Sequence, residues 1–168
     1  MGYLHDTHMS QFIPPSAFHY VTGTWADAAG NVAGTIVKQK TAAAETAVVN
    51  IPIQIPSNGS ALKGSLLKSI EIDYEILTAA ATSITATLNK VTRGADGAVA
   101  VVAAVTETQD LAAATDAADV DQHKLTVTVT TPAWIDDNEY YLLELSCVCA
   151  LTTVIEFLGA NINYTARL

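Results

Sequence analysis

Residues Tyr140–Tyr164 read YYLLELSCVCALTTVIEFLGANINY. In the first half, Tyr141, Leu143, Leu145, Cys147 and Cys149 are apolar at alternate positions. Successive strand residues point to opposite faces, so this set lines one face of a long strand. Leu151-Thr152-Thr153 reads as a tight turn, and the stretch after it as a second long strand completing a hairpin. The second strand is irregular. Ile155 and Phe157 are apolar at odd positions, then Leu158, Ala160, Ile162 and Tyr164 at even ones. A one-residue shift flips every following side chain, which predicts a bulge near Leu158-Gly159. Were the strand regular, one of those faces would meet a partner subunit.

The same period-two pattern recurs upstream. Ile70, Ile72, Tyr74 and Ile76 alternate with Ser69, Glu71, Asp73 and Glu75, giving one buried face and one facing water or a polar interface. Ile84, Ala86 and Leu88 form a similar set, as do Leu125, Val127 and Val129. In 47–55, Pro52 argues for an edge strand or a bulge, because proline donates nothing to a ladder. Residues 17–25 read as one strand in which Gly23 marks a bulge or a close backbone approach. Residues 98–107 read as one small apolar strand, and 27–31 as a turn.

The reading is about nine strands, almost no helix and no internal repeat. It predicts an all-β protein, an antiparallel β-sandwich of jelly-roll-like form. Residues 1–16 are expected as an extended N-terminal arm and 17–168 as the sandwich domain. Pro14-Pro15 impose extended geometry on the arm. Its apolar residues, among them Met9, Phe12 and Ile13, predict that it lies on its own domain or on a neighbour.

Composition narrows the function. Charged residues are 15% of the 168, against about a quarter in a typical soluble domain. Such a surface is rich in Thr, Ser and Asn, is covered by partners, or both. The net charge is −9 with only 8 Lys+Arg, too few clustered cations for nucleic acid or an anionic membrane surface. The longest apolar run, Ala98–Val105, is too short for a membrane-spanning helix. The first residues show neither the basic region nor the apolar core of a signal peptide. Cys147 and Cys149 lie two apart on one strand, roughly 6.6 Å between Cα atoms with parallel side chains. They read as two buried thiols.

Several constellations invite chemistry. His5-x-x-His8 with Asp6 has a metal-like spacing but sits in a segment without helical pattern; His19 and His123 would join only through folding. Asp116, Asp119 and Asp121 share a loop that could gather Ca²⁺, without EF-hand spacing. Asp136, Asp137, Glu144 and Glu156 are carboxylates of the kind a glycosidase pairs. Trp25, Trp134, Tyr140 and Tyr164 could form a sugar platform or cap the core. Four His and many Ser allow numberless Ser-His-Asp pairings and favour none, and no nucleophile elbow or glycine-rich phosphate loop is present. The expectation is therefore a non-enzyme, with no catalytic, cofactor-binding or metal residue assigned.

Two larger patterns carry a resemblance. One is Asn50-Ile51-Pro52-Ile53-Gln54-Ile55-Pro56 followed by Gly64–Tyr74. The other is Thr131-Pro132-Ala133-Trp134-Ile135-Asp136 before Tyr140–Leu145, closing with Leu158–Thr165. Over about residues 45 to 168 this layout resembles small β-sandwich virion proteins of tailed bacteriophages, including capsid decoration (cement) proteins and fibre-associated domains. The resemblance implies a homotrimer on the capsid surface, clamping neighbouring major capsid protein subunits without chemistry. It also implies synthesis in a bacterial host cytoplasm. It carries over no site residue. The other expectation is a carbohydrate- or receptor-binding β-sandwich of a phage fibre or cell surface.

Overall fold

The strands either side of Leu151-Thr152 do not pair with each other. In the computed structural model, which describes residues 5–30, 36–57, 64–98, 100–110 and 118–167, they belong to different sheets. Twelve strands are present among the described residues: β1 Asp6–Ile13, β2 His19–Thr22, β3 Trp25–Ala29, β4 Ile36–Lys40, β5 Glu45–Ile53, β6 Ser65–Ile76, β7 Ala81–Thr92, β8 Val101–Ala104, β9 Glu107–Gln109, β10 Gln122–Val129, β11 Glu139–Cys149 and β12 Ile155–Arg167. One sheet has the order β3-β4-β12-β6-β10-β9, with β1 also on β12; the other is β2-β5-β11-β7-β8. The strand pairs among the described residues are antiparallel.

The chain is an antiparallel β-sandwich. It switches sheets at nearly every connection from β4 onward, staying in one sheet only at β7–β8 and β9–β10. This crossing gives the jelly-roll character. The expected final hairpin is corrected here to a crossover. Residues 150–153 carry it: Thr153 N–H donates to Ala150 O at 3.1 Å, and Thr153 Oγ1 donates to Ala80 O at 2.7 Å. Alternation tells which face of a strand is buried. It does not tell which strand lies alongside, because pairing is a long-range choice.

The inward sets fill the space between the sheets. Ile70, Ile72, Tyr74, Phe157, Ala160 and Ile162 face Val49, Ile51, Leu88, Leu143, Leu145 and Cys147, all buried. The bulge on β12 is where the pattern predicts it. Phe157 pairs with Tyr74 and Gly159 with Asp73, leaving Leu158 as the extra residue. A second register shift falls between Asn163 and Tyr164.

The strand count exceeds nine for local reasons. Residues 17–25 divide at Gly23 (φ 99) into β2 and β3, which join different sheets. A Cβ there would stand 2.8 Å from that of Ala47, so the close approach read at Gly23 is present. The turn expected at 27–31 is instead strand β3 through Ala29, and Asn31 lies outside the described residues. Residues 98–107 divide into β8 and the start of β9, again in different sheets. Beyond Asn50, β5 has no described neighbour on its β2 side, so Pro52 interrupts no ladder there.

Residues 1–4 lie outside the described residues. The rest of the arm supplies β1, paired with β12 from Asp6↔Arg167 to Ile13↔Ala160. Arg167 Nε donates to Asp6 Oδ1 at 2.9 Å and closes the far end of this pairing.

Candidate functional site

The structure disperses most of the residues singled out from the sequence. Trp25 pairs across strands with Lys40, which pairs with Ile155 and so reaches Ile76 at one end of β6. Trp134 bridges Leu66 at the other end. The ten-residue span from Leu66 to Ile76 covers roughly 33 Å of strand, so the two indoles lie towards opposite ends of the sheet. Trp25 packs on Tyr20 and Phe157 at centroid distances of 4.6 and 6.1 Å, and its Nε1–H donates to Thr22 O at 2.8 Å. Trp134 is covered by the Arg167 guanidinium, 4.1 Å from the ring centroid. Tyr164 is buried, and Tyr140 belongs to the other sheet. These four rings form no common platform.

The carboxylates do not converge either. Glu144 is on the exposed side of β11, in the five-stranded sheet, while Glu156 is buried in the seven-stranded one. Asp136 and Asp137 are exposed beyond the end of β10. Glu156 does lie across from a carboxylate not singled out beforehand, Glu75, and Gln39 Nε2 donates to Glu156 Oε2 at 2.7 Å. Asp116 lies outside the described residues. Asp119 and Asp121 accept from the N–H groups of Val120 and Gln122. Asp6 is taken by Arg167, whose hydrogen bond holds its carboxyl below the usual value. His8 Nδ1 meets Thr165 Oγ1 at 3.3 Å, and His123 stacks on Tyr74 at 5.3 Å. Among the described residues no three His, Cys, Asp or Glu side chains gather as metal ligands would. Burial pushes the Cys147 thiol well above its ordinary value and that of Cys149 upward too.

What the fold does assemble is the outer face of the seven-stranded sheet. Cross-strand register aligns Phe12, Asn161, Glu71 and Thr126 in one row, and Ser10, Asn163, Ser69 and Thr128 in the next. Phe12 is 58% exposed. Beneath it is Gly159 of the bulge, where any Cβ would stand 2.5 Å from two ring carbons. The polar side chains hold one another. Ser10 Oγ donates to Asn161 Oδ1 at 2.7 Å. Asn163 Nδ2 donates to Ser69 Oγ and to Glu71 Oε1, both at 3.3 Å. Lys124 Nζ donates to Glu71 Oε2 at 3.3 Å, and that bond raises the lysine's pKa.

Open grooves run beside β1. One of about 330 Å³ is lined by His8, Ser10, Lys68 and Asn163. Another of about 410 Å³ is lined by Phe12, Pro14, His19, Pro52 and Gln54. The face therefore combines an exposed aromatic ring with hydroxyls, amides and a carboxylate that donate and accept in one plane. An aromatic face attracts the slightly positive C–H side of a saturated ring. The sequence marks Phe12 as an apolar arm residue that packs on something, but gives it no binding role, because the segment has no clear period to say which face it occupies. The signal that could have found the face is Asn161 and Asn163 at alternate positions, opposite Ile162 on a strand already known to be half buried.

No family model matches the chain, and no curated protein matches it. Solved structures of low identity are similar to it. One is a Clostridium thermocellum xylanase fragment with CBM22-1 and GH10 modules complexed with xylohexaose, at 7% identity and a TM-score of 0.46, covering 96% of this chain and 28% of that one. The xylan-binding CBM22-1 domain from Paenibacillus barcinonensis matches at 13% identity and TM-score 0.43, over 92% of each chain. A carbohydrate esterase of the Shiga toxin-encoding bacteriophage phi24B matches at 14% and 0.41, over 88% of this chain and 89% of that one. The chain spans about a quarter of the length of the first two structures it matches, 28% and 24%.

Proposed function

We propose that this protein is a carbohydrate-binding β-sandwich that holds a neutral glycan across the outer face of its seven-stranded sheet, without chemistry of its own. One observation carries the reading: the exposed Phe12 ring, seated on Gly159, in line with Asn161, Glu71 and Thr126. A pyranose stacked on the ring would turn its hydroxyls toward side chains already held by mutual hydrogen bonds. Ordered partners lose little freedom on binding, which favours affinity. The test is a glycan array together with co-sedimentation on insoluble polysaccharides, run with the natural chain and with Phe12→Ala. Binding that disappears in the variant supports the reading. Absence of binding to any glycan, or binding indifferent to Phe12→Ala, overturns it.

A second reading, a structural virion subunit of the decoration or cement kind, is favoured by a different observation. Edge strand β8 exposes Val101 and Val102 at 63% and 61% and carries neither charge nor proline. Edges of this kind are the ones that pair with another chain. This reading is tested by sedimentation, with association expected, and by capture on phage heads lacking such a subunit.

A further inference from the structure

At the edge where β2 meets the β3–β4 pair, an ion pair occupies an unexpected side of the strands. Asp27 and Lys38 are cross-strand partners, with Lys38 Nζ 2.7 Å from Asp27 Oδ1. Strand period two puts Asp27 on the side of Trp25, and Lys38 on the side of Lys40. That is the side facing the core: Trp25 contacts Phe157, and Lys40 is fully buried. Charges so placed are ordinarily covered or replaced by apolar groups. Here their side chains stay 71% and 42% exposed, because they open onto a cavity of about 180 Å³.

The cavity's remaining lining is Pro15, Ser16, Phe18, Tyr20 and Val37. Phe18 is buried and gives it an apolar floor, and Val37 adds to the lining from the neighbouring strand position. The Tyr20 ring is backed by Trp25 at 4.6 Å, and its hydroxyl makes a long bond of 3.4 Å to Pro15 O. Burial, with Asp27 adding to it, pushes the Tyr20 hydroxyl up to about 12, so it stays a neutral donor and acceptor across the working range.

We propose that this cavity is a binding site for one neutral polyhydroxyl ring, such as a single pyranose, distinct from the sheet face. Size excludes a chain: the volume equals about six waters and falls below the roughly 300 Å³ at which drug-sized pockets begin. Charge excludes an ionic ligand. The Asp27–Lys38 pair is already neutral, and a charged guest would have to break it. A hydroxyl can instead donate to Asp27 while its neighbour accepts from Lys38. The C–H side of the ring rests on Phe18, and a further hydroxyl reaches Tyr20 or Ser16. The inference stands on this lining and does not depend on the sheet face binding anything.

The test is an NMR titration of the ¹⁵N-labelled full chain with D-glucose, D-galactose and D-xylose, with D-glucuronate and D-glucosamine as charged counterparts. The Trp25 indole N–H, behind Tyr20, reports on the cavity; the Asn161 and Asn163 amides report on the sheet face. The expected result is a saturable shift of the Trp25 signal by at least one neutral sugar and by neither charged one. The double variant Asp27→Asn/Lys38→Met keeps the net charge and should weaken that binding at least about tenfold. Tyr20→Phe, a smaller change, should weaken it less, and Phe12→Ala should leave it unchanged. No Trp25 shift with any neutral sugar overturns the proposal. So does equal binding by the folded double variant, or equal binding of the charged sugars. Shifts confined to Asn161 and Asn163 would overturn it while supporting the sheet-face reading.

Discussion

Phe12 lies against Gly159, with ring carbons 2.5 Å from where a Cβ would be. One residue sits on the first strand and the other in the bulge of the last, and β1–β12 pairing brings them together. Gly159 has φ 145, a conformation that side chains rarely adopt. Gly159→Ala is expected to cost about 1–3 kcal/mol in urea unfolding and to displace the Phe12 ring. Phe12→Ala, at an exposed position, should change stability far less while abolishing glycan binding. Equal stability loss in the two variants would mean that Phe12 is a packing residue rather than a presented one.

Lys40 is a buried ammonium held by backbone carbonyls. Its Nζ donates to Ala43 O at 2.6 Å, Thr41 O at 2.9 Å and Thr153 O at 3.4 Å, with Glu45 Oε1 at 3.8 Å. It ties the β4–β5 loop to the β11–β12 crossover. Lys40→Met fills the same volume but takes the ammonium donor from those carbonyls and the ion-pair partner from Glu45, which keeps its bonds from Thr24. The expected loss is about 3–5 kcal/mol in chemical denaturation. A loss under about 1 kcal/mol would mean that water replaces the ammonium.

Acid should weaken the fold partly through Glu139. Burial pushes its carboxyl up, but more is contributed downward by Lys90 Nζ at 2.7 Å, Asp136 N–H at 3.1 Å and Thr92 Oγ1 at 3.2 Å, so the net shift is down. A depressed folded-state value stabilises above the unfolded value, near 4.5, and that contribution is lost as pH falls through the folded one. The unfolding midpoint of Glu139→Gln should therefore change less between pH 6 and pH 3 than that of the natural chain, each pH being ~1.5 units from the unfolded value. Parallel pH profiles for the two would remove Glu139 from the account.

Self-association, where it occurs, is expected through β8. Val102→Lys places a charge on the exposed edge, the device natural sheets use to block edge pairing. Sedimentation velocity should show concentration-dependent association of the natural chain and a monomer for the variant. An association unaffected by Val102→Lys would assign it to another surface.

The thiols should be inert in the native state. Cys147 is raised by burial and then by the nearby Cys149, and Cys149 by burial first. A thiol-reactive chromophore is expected to label neither until the protein unfolds. Rapid labelling of the folded chain would show that β11 opens locally.

Much of the sandwich was legible in residues 140–164 and their upstream counterparts. Side-chain alternation is a local property with a period of two, so Tyr141 to Cys149 and Ile70 to Ile76 declare their buried faces without any partner in view. The shift from Phe157 to Ala160 declares the bulge in the same way. Partnership is not local. Only the tertiary structure placed β11 and β12 in separate sheets, separated Trp25 from Trp134, and carried the N-terminal arm onto β12. Each depends on which distant strands pair and how they stack, and no short-range pattern encodes that choice. The rows from Phe12 to Thr126 and from Ser10 to Thr128, and the inward-facing Asp27–Lys38 pair, exist only because that choice brought their strands side by side.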